Sequence, residues 1–542
     1  VSDAAVVRSS SLMATGTVVS RVTGVLRTTA TAAAIGTLLL ADAYQTANTL
    51  PNVVYILLVG GALNAVFIPQ LVRRMRDDAD GGQAYSDRLL TAALVLLAAI
   101  TVLATLAAPW VVRAYAAPNW SADTLSVATR FAYFCLPQIF FYGAYTLFAQ
   151  VLNARGHFGT PMFAPVLNNL VVIGGCVAFI AVTDHHAPTP STITQGQLTL
   201  LASITTIGVV VQAAVLVPVL ARSGYRLHPR FDWRGHGLGK AASLARWTVA
   251  LVAANQLAFL VVTRLANRAG TDAVDAGAHV GAGSYVYGTA YLIFVLPHSV
   301  VTVSVVTALL PRMSRAAHAG DVPAVRRDVS RGIVLVSTAI VPASVVFLLL
   351  APRLAQLLVG YGATSDAAAA FIGTVVQAFS VGMVPFSVYY VLLRGYYAQE
   401  DTRSPALNAV LLNVVNIVAA YALFLALPAH LAVAGLALAY ALAYLVATVV
   451  LWVRLAGRLG GLDSYLTVRS LVRLVLAGAL AGVVGYLLRA GLGHLVGPGK
   501  LGALVEVLVV GAGVGAVFLA LARRLRVAEV GQLVTLVRRR AA

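Results

Sequence analysis

Apolar residues gather into long runs separated by short polar breaks, and the runs have helical length. A membrane-crossing helix needs about 20 mostly apolar residues, and about fourteen stretches meet that demand. They lie near residues 10–36, 42–73, 88–115, 124–153, 160–183, 195–221, 243–267, 280–312, 329–352, 368–398, 404–427, 431–456, 469–490 and 501–522. Charge is pushed into the breaks, as in RRMRDDADGGQAYSDR after the second run and SGYRLHPRFDWRGHGLGK after the sixth. Helices satisfy every backbone polar group inside lipid, so the pattern predicts an all-α polytopic membrane protein of about 14 transmembrane helices.

The pattern also repeats. LPQIFFYGAYTLFAQVLNARGHFGTPMFAPVLNN around the fourth run is echoed by VPFSVYYVLLRGYYAQEDTRSPALNAVLLNVVN around the tenth. Each has a proline early in the run (Pro137, Pro385) and an aromatic-rich helix. Thr-Pro or Ser-Pro then opens the next helix, with an asparagine (Asn169, Asn413) eight residues after that proline. Pro69 and Pro311 end the second and eighth runs in a similar way, each just before arginines. A six-span unit repeated once keeps its orientation, so the expected architecture is two six-helix lobes related by a parallel pseudo-two-fold, with two extra C-terminal helices. The expected boundaries are 1–224 for the first lobe, 225–458 for an amphipathic linker and the second, and 459–542 for the last two spans and a basic tail. Such repeats place a substrate site between lobes and alternate access by rocking.

Composition agrees with this class and removes others. Hydrophobic residues make up 60% and charged residues 11% of the 542 residues, too little charge for a soluble chain of this size. The net charge of +19 is not a nucleic-acid signature, because the basic residues sit in breaks after even-numbered runs. They are Arg73, Arg74, Arg76 and Arg88; Arg222, Arg226, Arg230, Arg234 and Lys240; Arg312, Arg315, Arg326, Arg327 and Arg331; Arg454, Arg458 and Arg469; and the tail Arg538–Arg540. The positive-inside rule then puts both termini in the cytoplasm, with the basic loops facing anionic membrane lipid. Cys135 and Cys176 fall in apolar runs and make no disulfide framework. No nucleophile–base pair, HExxH or carboxylate dyad stands out, so neither an enzyme nor a metal site is expected. Gly511, Gly513 and Gly515 lie inside an apolar run and read as close helix packing rather than a nucleotide loop.

The first two runs break the apolar rule. Arg21 and Arg27 lie well inside the first, and two arginines at mid-membrane cost roughly 5–7 kcal/mol on insertion scales. Thr17, Ser20, Gly24, Arg27 and Thr31 share one helical face, with Arg21 about 120° round from Arg27. A guanidinium fork matches paired phosphate oxygens, so this helix is expected to line a cavity for an anionic group. The plainer alternative is that one arginine snorkels to the interface and the other pairs with Asp42. Asp42 opens the second run, as a favourable helix-dipole charge or as a gate that pairs with an arginine. Pro51, Pro137, Pro297 and Pro385 interrupt helical bonding inside runs and are hinge candidates. Arg264 and Arg394 read as snorkelling side chains near span ends.

SRVTGVLR at Ser20–Arg27, ADAYQTANTLPN at Ala41–Asn52, GGALNAVFIPQLVRR at Gly60–Arg74 and LPHSVVTVSVVTALLPRMSR at Leu296–Arg315 resemble the MurJ/MviN family of lipid II flippases, within the multidrug/oligosaccharidyl-lipid/polysaccharide exporter superfamily. The resemblance implies a bacterial cytoplasmic-membrane transporter that moves the undecaprenyl-diphosphate-linked peptidoglycan precursor from the cytoplasmic to the outer leaflet by alternating access. It implies that Arg21 and Arg27, with Ser20, Gly24 and Asn52 around them, hold the diphosphate, that Asp42 gates, and that the last two spans form a groove for the lipid tail. Positions where many relatives carry further charge are Tyr55, Gly60 and Leu292 here, so a clamp of three or more arginines is not implied. Residues 243–267 contain no Asp or Glu, which argues against a sodium site.

No cofactor is expected; membrane potential or an ion gradient is the candidate driving force. The expected partners are lipid II and membrane lipids, with cell-wall synthesis proteins further candidates and the transporter monomeric. The alternatives are an exporter of another lipid-linked glycan or of drugs, and a non-transporting cell-wall scaffold.

Overall fold

The computed structural model describes residues 3–57, 83–184, 186–232, 238–497 and 499–527. The second half of the second run, with Gly60, Pro69, Arg73, Arg74 and Arg76, lies outside these residues, as do Arg234 and Arg538–Arg540.

The elements formed by the described residues are all helices, with no strand among them. The helices are α1 (Asp3–Ile35), α2 (Leu39–Tyr55), α3 (Gln83–Leu106), α4 (Ala108–Tyr115), α5 (Ala122–Cys135), α6 (Gln138–Ala154), α7 (Gly159–Val182), α8 (Gln195–Ala214), α9 (Leu216–Arg222) and α10 (Leu238–Asp275). They continue as α11 (Ser284–His318), α12 (Val322–Val359), α13 (Asp366–Ser380), α14 (Met383–Ala398), α15 (Arg403–Ala426), α16 (Ala429–Arg458), α17 (Ser464–Leu492) and α18 (Lys500–Arg524). Among the described residues 10 helical spans are long and apolar enough to cross a membrane, or 11 when the pair α13–α14, bent by 50°, is one span. Helix α1 is not among them. Arg21, Arg27 and five threonines between Gly16 and Ile35 dilute its apolar character.

The chain divides into two units. Unit 1 comprises residues 1–275 with two short additions, 283–285 and 361–365. In it α1 packs along α7, α7 along α8, and α2 against α5 and α6, while α10 joins α2 and α4. The addition at 361–365 caps α1. The Ala363 N–H donates to the Ala33 carbonyl at 2.9 Å and the Thr364 hydroxyl to the Ala32 carbonyl at 2.8 Å. Both carbonyls belong to the last turn, where helical donors run out; that of Ala32 also accepts the Gly36 N–H at 2.9 Å. Gly362 permits the approach: its φ is +57° and a Cβ there would stand 2.5 Å from the Ala33 carbonyl oxygen.

Unit 2 comprises residues 276–282, 286–360 and 366–542. Helix α12 is its axis, touching α13, α14, α17 and α18. Val334, Val341, Leu474, Val510, Val514 and Phe518 form a buried cluster there. Small residues let these helices close up: a Cβ at Gly478 would meet Val341 at 2.6 Å, and one at Gly485 would meet Val514 at 2.5 Å. Of the glycines read as a packing run, only Gly513 approaches a neighbour, Leu488; Gly511 and Gly515 face open space.

Candidate functional site

Helix α1 is polar for a helix of membrane-crossing length, and its hydroxyls are turned onto its own backbone. Thr23 donates to the Val19 carbonyl at 2.9 Å, Thr28 to that of Gly24 at 3.1 Å, and Thr31 to that of Arg27 at 2.9 Å. This back-bonding hides polar groups that lipid cannot solvate. Asn169 on α7 then ties the helix laterally. Its amide donates to the Thr23 hydroxyl at 3.0 Å and to the Ser20 carbonyl at 3.3 Å. A Cβ at Gly24 would make ordinary contact with that amide, at 3.8 Å.

The two arginines have different surroundings. Arg21 is exposed and Arg27 is half-buried, as their angular separation on the helix requires. The Arg27 charge lies within electrostatic reach of Tyr44 on α2, Tyr142 on α6 and Cys176 on α7. Among the described residues no carboxylate pairs with Arg27.

Asp42 is buried, at 1% exposure, and its partner is not an arginine. Its Oδ1 accepts the backbone N–H of Tyr285 at 2.8 Å. Gly270 and Gly283 supply the space, since Cβ atoms there would stand 2.6 and 1.9 Å from Asp42 Oδ2. One helical turn on, Asn267 donates to the Thr46 hydroxyl at 3.0 Å and to the Tyr115 carbonyl at 2.8 Å. The end of α10 is thus bonded to α2 and α4.

Asn52 is exposed and its neighbour Pro51 is buried; no contact joins Asn52 to the α1 arginines among the described residues. Tyr55 donates to or accepts from the Thr146 hydroxyl at 2.6 Å and faces the Tyr142 ring at 5.9 Å. Leu292 is 51% exposed. The four prolines differ: Pro51 and Pro297 lie within continuous helices, whereas Pro137 sits at the α5–α6 junction and Pro385 just past the 50° bend between α13 and α14. The cross-helix role of Asn169 and the backbone partner of Asp42 were not read from sequence. The one available signal was the recurrence of Asn169 in the repeat.

A helical bundle of two units, with 10 or 11 apolar spans of membrane-crossing length among the described residues, defines a polytopic membrane protein. The chain belongs to the lipid II flippase MurJ family, whose model matches residues 31–504. The match begins after Arg27, so it does not bear on the α1 arginines. The chain is similar to the probable lipid II flippase MurJ of Rhizobium tropici, 27% identical over 442 residues, 81% of this chain and 79% of that one. It is also 27% identical over 429 residues to the lipid II flippase MurJ of Burkholderia cenocepacia, covering 78% of each. Its fold matches a solved lipid II flippase MurJ in an inward closed conformation, with a TM-score of 0.74 at 17% identity over 95% of this chain and 99% of that one. It also matches an inward-facing multidrug resistance MATE family transporter, with a TM-score of 0.62 at 15% identity over 81% and 99%.

Proposed function

We propose that this chain carries lipid II across the membrane, with Arg27 holding the diphosphate and Arg21 assisting. Family membership supports the substrate. The observation that carries the site is the half-buried Arg27 guanidinium, which has no carboxylate partner among the described residues. A cation at such a position calls for an anion, because uncompensated charge inside a membrane is costly, and a guanidinium donates two parallel hydrogen bonds to phosphate oxygens. Asp42, buried against Tyr285, holds one arrangement of α2, and release of that bond is the proposed gating step. The pseudo-two-fold of six-span lobes, cytoplasmic termini and placement in the bacterial inner membrane belong to the same reading.

The test is complementation of a strain depleted of its own flippase, following exposure of lipid II on the outer leaflet. Wild type restores exposure, and Arg27→Ala at equal expression does not. Restoration by both would move the diphosphate site elsewhere, and restoration by neither would remove the substrate assignment.

A further inference from the structure

Unit 2 contains a buried polar level that the α1 arginines do not explain. On α11 the residues Phe294, His298 and Thr302 recur every four positions and share a face. On α14 Phe386, Tyr390 and Arg394 do the same. The faces meet in register. The Phe294 and Phe386 rings are 5.3 Å apart, the His298 and Tyr390 rings 4.8 Å apart, and His298 Nδ1 bonds the Ser387 hydroxyl at 3.1 Å. A step of four on one helix matches a step of four on the other, so the two run in the same direction there, and the same step on each face next reaches Thr302 and Arg394.

At that level two polar atoms lack partners. Thr302 is 0% exposed and its hydroxyl makes no hydrogen bond, although a helical threonine can donate to the carbonyl four residues back, as Thr338 does. The Nε of Arg394 is also buried without an acceptor. The guanidinium lies over the Tyr397 ring at 5.7 Å, and no carboxylate pairs with it among the described residues. Unpartnered buried donors are costly, and native structures keep few of them without a reason. Two on facing helix faces in the same register, one of them cationic, suit an anionic oxygen group.

We propose that Arg394 and Thr302 form an anion subsite in unit 2, lined by Tyr390 and His298, for a phosphate or carboxylate of the lipid-linked substrate. The proposal rests on the lipid II reading. A phospholipid headgroup offers the same chemistry, since Arg394 lies four residues from the end of α14, so the experiment separates the two sources.

The full chain is placed in phosphatidylcholine nanodiscs, and lipid II binding is measured for wild type, Arg394→Gln, Thr302→Val and Arg27→Ala. Arg394→Gln weakens binding by about tenfold or more and Thr302→Val by a few fold, the range of charged and neutral hydrogen bonds. Thr302→Val keeps or raises the melting temperature, because it removes an unpaired hydroxyl; a structural role would lower it. Wild-type affinity in Arg394→Gln, with binding lost in Arg27→Ala, overturns the subsite and leaves the function standing. Failure of wild type to bind lipid II overturns the function. In that case phosphatidylglycerol nanodiscs decide the subsite: thermal stabilisation of wild type but not of Arg394→Gln assigns it to a headgroup, and equal response overturns it.

Discussion

Asp42 and Tyr285 are joined by a 2.8 Å bond from backbone N–H to carboxylate, across 243 residues of chain. The bond depends on two glycines, because Gly283 and Gly270 stand where any side chain would strike the carboxylate. Gly283→Ala therefore displaces Asp42 or the backbone, with overpacking costing about 1–3 kcal/mol. Asp42→Asn keeps an acceptor oxygen, whereas Asp42→Ala removes the carboxylate that accepts the Tyr285 N–H, at a cost of about 1–3 kcal/mol. Thermal unfolding in detergent should rank Asn above Ala; equal melting temperatures for the two would show that the bond contributes nothing.

Asn169 fastens α1 laterally through Thr23 and Ser20. Asn169→Ala removes both bonds at once, and neutral hydrogen bonds are worth about 1 kcal/mol each. In Thr23→Val the Asn169 amide keeps its bond to the Ser20 carbonyl, so Thr23→Val costs less than Asn169→Ala. Cross-linking yield between cysteines placed on α1 and α7 should fall in Asn169→Ala and hold in Thr23→Val.

The sequence and the folded chain agree where one physical demand acts along one segment. Lipid forces long apolar runs, so the helices and the membrane class could be read directly. Arg21 and Arg27 were conspicuous because charge in such a run is rare, and their angular separation appears as one exposed and one half-buried side chain. Asp42 was conspicuous for the same reason, but its partner is a backbone N–H, which has no side-chain signature. The prolines illustrate a further limit. Whether a proline bends a helix depends on what its neighbours offer the freed carbonyl. Pro385 stands in the first turn of α14, where an N–H has no intrahelical acceptor to serve, while Pro297 leaves α11 continuous.

Glu506 is a lone acid in the last apolar run, and its partners come from two other helices. Its carboxylate accepts from Arg353 Nε of α12 at 2.8 Å and from Arg489 Nε of α17 at 2.9 Å. Arg489 also donates to the Leu349 carbonyl at 2.7 Å. The triad thus fixes α17 and α18 to α12. Removing one member of a fully buried pair costs about 3–5 kcal/mol. The Arg353 and Arg489 side chains are 25% and 36% exposed, which reduces the expected loss for Glu506→Gln to about 1–3 kcal/mol. Replacing all three by Met, Leu and Met should recover most of it, as well-packed apolar groups do for buried ion triads. A melting temperature no higher in the triple variant than in Glu506→Gln would mean that the triad contributes more than charge balance.

The segment 223–232 lies across the start of α3, held at Tyr225 and at Asp232. Tyr225 donates to the buried Asp87 at 2.7 Å. Burial, then this bond, pushes its hydroxyl above the ordinary phenol range, so it stays a donor at any working pH. Asp232 receives Arg88 Nε at 2.8 Å and the terminal nitrogen at 2.6 Å, and those bonds hold its carboxyl below the usual range. A carboxylate depressed on folding stabilises above its unfolded value, and the contribution is lost as pH falls through the folded value. The attachment at Asp232 should therefore persist at neutral pH and weaken only below about pH 4. A spin label at position 231, where Phe231 is 69% exposed, reports this directly. Its mobility should rise only at that acidic end in wild type and be raised at all pH values in Arg88→Ala. A label equally mobile in both at neutral pH would show that the ion pair does not hold the segment.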